Sequence, residues 1–87
     1  MSVRGEFARL LGDLIAVLRD AGVARDTVSA LEPLVERAHK DLVGAAEAAL
    51  TLLPKLEASA FADPALRQRF ADSFERSEAI CRVILGR

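Results

Sequence analysis

Residues 31–56, LEPLVERAHKDLVGAAEAALTLLPKL, are the stretch whose reading decides the fold. Leu31, Val35, Ala38, Leu42, Ala45, Ala49, Leu52 and Leu56 follow one another at alternating steps of four and three. That is the heptad spacing of a helix burying one continuous seam. A second ladder lies beside it: Glu36, His39, Val43, Ala46, Leu50, Leu53 and Glu57. Two adjacent seams make an apolar face wide enough to meet two neighbouring helices. The fold class is therefore all-α, organised around this element.

Working outward, the pattern predicts three helices in a single domain, residues 1–87. Helix 1 spans about residues 2–21. Its seam is Val3, Phe7, Leu10, Leu14, Val17 and Ala21, and Leu11, Ile15 and Leu18 lie alongside. Ser2 suits the N-cap, and Gly22 suits the left-handed residue that ends a helix. The opposite stripe, Glu6, Arg9, Asp13, Ala16 and Asp20, reads as a solvated face. The short connection Val23-Ala24-Arg25 implies an antiparallel hairpin. Helix 2 covers about residues 27–59, with Asp26 as N-cap, and is roughly 45 Å long if unbroken. Pro33 implies either a short first turn over residues 27–32 or a bend. Pro54 implies a kink, because the seam stays in register across it. Gly44, with Ala45, Ala46, Ala48 and Ala49, makes a thin stretch open to close helix approach. Asp63-Pro64 marks the start of helix 3, about residues 64–85. Its seam is Leu66, Phe70, Phe74, Ser77, Cys81 and Ile84, with Ile80 and Leu85 beside it. Asp72–Arg76 and Glu78–Arg82 are i,i+4 pairs on its outer face.

Composition narrows the function. The chain has 87 residues and a formal net charge of −1. No strong field steers it to nucleic acid or anionic lipid. The arginines of helix 3 are interleaved with acids, as on a solvated face. No uncharged run approaches a membrane span, and no signal peptide is visible, so a cytoplasmic protein is expected. The single cysteine, Cys81, excludes an intrachain disulfide. It lies in a core seam, far from the pattern of a catalytic nucleophile. Isolated glycines do not build a phosphate loop. These features point away from an enzyme.

One constellation carries chemistry. Glu36-Arg37-Ala38-His39 places a carboxylate and an imidazole one helical turn apart. Di-metal carboxylate bundles take such an E-x-x-H from each of two helices and a Glu from each of two others. Glu6 stands thirty residues before Glu36. In these residues the hairpin resembles the short encapsulated-ferritin class. That resemblance implies a dimer-interface site for iron or another divalent metal, with Glu36 and His39 as ligands and Glu6 or Asp13 as a third. The simpler alternative pairs Glu36 with Lys40 and leaves His39 at the edge of the core. His39-Lys40 and Gly44 also carry the residue types of a phosphotransfer histidine site, at the wrong spacing.

The resulting expectation is a three-helix bundle with a long, Pro-kinked central helix, assembling as a homodimer or larger bundle. Its function is a non-enzymatic interaction or assembly module without a cofactor, meeting itself or another helical protein. The surface of action is the second seam: Val43, Ala46, Leu50 and Leu53. The ferritin-like metal bundle is the alternative.

Overall fold

In a computed structural model describing residues 2–87, the chain forms four helices and two short 3-10 turns. Met1, included in the single-domain reading, lies outside the described residues. Helix α1 runs Val3–Ala21. The Ser2 side chain accepts from the Gly5 N–H at 3.0 Å, and Gly22 ends the helix at φ 67°. Helix α2 runs Arg25–Arg37, helix α3 Leu42–Leu52 and helix α4 Pro64–Leu85. The Asp63 carboxylate caps α4 by accepting from the Ala65 N–H at 2.8 Å.

The expected long helix 2 is two helices. Its break falls at neither proline but at residues 38–41, where the seam runs on without a gap. Asp41 is the reason. It leaves helical geometry at φ −144°, ψ 79°, and its carboxylate accepts from the Gly44 N–H at 2.9 Å. A short acid accepting from the N–H three residues on is the standard N-cap. Arg37 reaches the other carboxylate oxygen at 3.0 Å. Behind the break, Arg4 Nε donates to the Ala38 carbonyl at 2.9 Å, so a cation from α1 sits on the C-terminus of α2.

The prolines behave otherwise than expected. α2 continues through Pro33, because both Pro33 and Ser29, whose carbonyl loses its donor, face solvent. Pro54 coincides with an ending rather than a kink: α3 stops at Leu52 and a 3-10 turn spans Leu53–Lys55. A second 3-10 turn, Ala58–Ala60, leads to Phe61. Nor is Asp26 the cap of α2. That position is Ala24, held left-handed at φ 52° with no side-chain hydrogen bond.

The helices contact one another in the order α1–α2–α3–α4, and α4 closes back on α1. The core they enclose contains Phe7, Leu11, Leu14, Leu18, Leu31, Ala38, Ala45, Ala49, Leu53, Phe61, Phe70 and Cys81. Every residue of the first seam is buried or half-buried. The accessible surface is 5096 Å². A compact monomer of this mass exposes about 5,000 Å². The seam is therefore spent on the chain's own core, and burying it needs no second copy.

Candidate interaction surface

Helix α4 lies antiparallel on α1. Buried Ser77 donates its hydroxyl to the Leu10 carbonyl at 3.3 Å, and Arg69 pairs with Asp20 at 3.1 Å. Ser77 is small, so the two helices approach closely there. To one side of that contact runs a groove of about 370 Å³, lined by Glu6, Arg9 and Leu10 of α1 and by Arg76, Ala79, Ile80 and Val83 of α4. Its floor is apolar. Val83 is 67% exposed, the most open large apolar side chain among the described residues. Val3, 44% exposed, lies toward the same end of the helix pair.

The rim carries both signs of charge. Glu6 and Arg9 pair at 2.6 Å, and Arg9 also approaches Asp13 at 3.6 Å. Arg76 has no carboxylate within ion-pair distance among the described residues, and the expected Asp72–Arg76 pair does not form. Asp72 instead accepts from Gln68 at 3.2 Å. Glu78–Arg82 does form, at 3.7 Å. An apolar floor with a mixed charged rim is the make-up of a protein contact surface.

The second-seam residues are divided between core and surface. Ala46 and Leu53 are 0% and 1% exposed and belong to the protein's own core. Leu50 is half-buried, and only Val43, at 51%, stands open. Of the four, Val43 and Leu50 are the ones this fold leaves accessible to a partner. Gly44 is not there for helix approach. A Cβ at that position would run into the Asp41 carboxylate and the Arg37 guanidinium.

Glu36 and His39 are both exposed, His39 in the turn between α2 and α3. Glu36 forms no ion pair with Lys40; it is Arg37 and Asp41 that pair across that turn. Glu6 is engaged with Arg9 at the groove. Among the described residues, no three His, Cys, Asp or Glu side chains stand close enough to hold a metal ion. Two titrations are displaced. The Gly44 N–H, then Arg37, hold the Asp41 carboxyl below the usual carboxylate range. Burial, then Glu78, pushes the Cys81 thiol up to about 11. Cys81 is thus a protonated core residue.

The groove had a sequence signal. Arg69, Ser73, Arg76, Ile80 and Val83 form their own ladder of four- and three-residue steps along α4, beside its core seam. The solvated stripe of helix 1, Glu6 to Asp20, is the matching one. Reading each stripe alone conceals that together they form one two-helix face.

In comparison with known proteins, the chain matches no family model, no curated protein and no solved structure. Among the described residues, no helix is long and apolar enough to cross a membrane.

Proposed function

We propose that the protein is a non-enzymatic interaction module that associates with a second copy of itself through the α1/α4 face. The observation that supports this is Val83, open to solvent beside Ala79, Ile80 and the edge of Leu10. A groove with an apolar floor and a polar rim has the make-up of a contact site. A second copy suits the rim better than a strongly acidic or basic partner. In a two-fold pairing each surface meets itself, and this rim holds Glu6 along with Arg76, which lacks a carboxylate partner among the described residues. A standard interface takes about 800 Å² from each partner, about a sixth of this surface. The groove is a small part of that, so the dimer is weak and concentration-dependent.

Light scattering across a concentration series tests this. The molar mass should rise from 9.4 kDa toward twice that value. Val83→Asp should hold the mass at the monomer with the helical circular dichroism unchanged, while Leu50→Asp leaves association intact. A wild-type chain that stays monomeric at millimolar concentration ends the proposal. Association abolished by Leu50→Asp and not by Val83→Asp moves the contact to α3.

A further inference from the structure

We propose that the break between α2 and α3 is a hinge, at which the two helices fuse into one while two copies of the chain exchange their α3–α4 halves. This inference does not rest on the α1/α4 face. Three observations carry it.

First, the apolar seam crosses the break in unbroken register: Val35, Ala38, Leu42 and Ala45 keep steps of three and four. In the monomer the turn keeps Ala38 and Leu42 against the core, so the spacing serves the folded chain and is kept ready for a straight helix. The spacing is what one continuous amphipathic helix requires.

Second, the departure from helix is small. His39 N–H still bonds the Glu36 carbonyl at 3.1 Å, and the Lys40 and Asp41 N–H groups bond the Arg37 carbonyl at 3.0 and 2.7 Å. The chain turns away at Asp41. Rotating that residue into the helical region frees the Ala38 carbonyl from Arg4 and offers it to the Leu42 N–H. The Arg37–Asp41 pair, already spaced i,i+4, survives in the fused helix. What holds the break is the Asp41–Gly44 cap and the Arg4 contact. Gly44 supports it as a poor helix residue, and a Cβ there would displace the Asp41 carboxylate and Arg37 guanidinium from their present positions.

Third, the fused helix cannot close on its own chain. Running from Arg25 to Leu52, it would be about 42 Å long. The longest dimension of the folded protein is 35 Å. Straightening carries α3 and α4 away from α1, and the core they leave is the one that a second copy's α3 and α4 fit. Exchange rebuilds every helix contact except those at the hinge.

The test uses the Val83→Asp chain, which silences the α1/α4 face, and adds Asp41→Ala with Gly44→Ala. The expected result is a dimer of about twice 9.4 kDa, with helical circular dichroism raised by about four residues. Replacing exposed Asp20 and Arg69 by cysteine then separates exchange from surface contact, because these residues pair across α1 and α4. A short bis-maleimide should link two chains in the exchanged dimer. A link within one chain, or a mass that stays at the monomer with helices intact, overturns the proposal. If the double substitution costs the helical signal, Gly44→Ala alone at high concentration is read by the same mass and cross-link. Adding Leu42→Pro, which suits the first turn of a separate α3 but bars a continuous helix, should return the protein to monomer. A dimer that persists with Leu42→Pro also overturns it.

Discussion

Phe61 decides whether the segment after α3 belongs to the core. Its ring is 2% exposed and stacks on Phe70 with centroids 4.6 Å apart and planes 27° apart. Arg67 holds its carbonyl through two donors, Nε at 3.2 Å and Nη2 at 2.7 Å. Burying such a ring is worth about 1.5–3 kcal/mol. A stacked aromatic pair adds about 0.5–1.5 kcal/mol. With the cavity left behind, Phe61→Ala should cost about 3–5 kcal/mol. An 87-residue domain holds only about 4–13 kcal/mol in total, so that variant risks unfolding. Phe61→Leu, which keeps most of the volume, should cost about 1–2 kcal/mol. Urea titration reads it. With a slope near 1 kcal/mol per molar, the midpoint should fall by about 1–2 M. Phe74→Leu is the control, since Phe74 is half-buried and meets Phe70 at a wider 5.5 Å. A Phe61→Leu midpoint no lower than that of Phe74→Leu would refute the packing of residues 53–63 on α4.

Two further outcomes follow from the backbone and the thiol. Nothing lies within 4 Å of a Cβ placed on Gly22, so Gly22→Ala pays only for its φ of 67°. It should cost about 1 kcal/mol and lower the melting temperature by about 4–8 °C. Ala24, at φ 52°, is the reverse case: Ala24→Gly should raise the melting temperature or leave it unchanged, and a fall larger than that of Gly22→Ala would contradict the strain argument. Cys81, raised to about 11 by burial, holds its proton in the folded chain where the unfolded chain, titrating near 9, has lost it. Stability from this group is therefore complete below pH 9 and falls as pH rises through about 11. The urea midpoint of wild type should drop more between pH 8 and 10.5 than that of Cys81→Ala, and equal drops would count against it.

The first seam was legible in the sequence because burial follows spacing. From Leu31 to Leu56 each of its positions faces inward, including Leu56, which lies beyond the end of α3. The continuity of the backbone was not legible from the same pattern. Residues 37–41 keep helical bonding for one more turn, so the apolar spacing survives a break that ends α2. The signal that marks the break is Asp41 with Gly44 three residues later. Within a long apolar register it reads as an acid and a glycine tolerated mid-helix. The second seam is divided between core and surface for another reason. α3 has only Glu47 and Thr51 as polar side chains, so its sequence cannot distinguish the flank that meets α4 from the flank that meets solvent. Ala46 and Leu53 went to the core, and Val43 did not.

A dimer-interface metal site needs Glu36, His39 and a third carboxylate to converge. Glu6 lines the α1/α4 groove, whereas Glu36 and His39 stand exposed in the last turn of α2 and in the turn that follows. Dimerisation through the groove would place Glu6, and not His39, at the interface. Exchange at the hinge would draw residues 38–41 into a continuous helix and place His39 on its surface, in heptad register with Val43 and Leu50. The two modes of association thus present different residues to a divalent ion. Iron binding that required His39 would favour the exchanged form, because the groove dimer leaves His39 in the turn between α2 and α3.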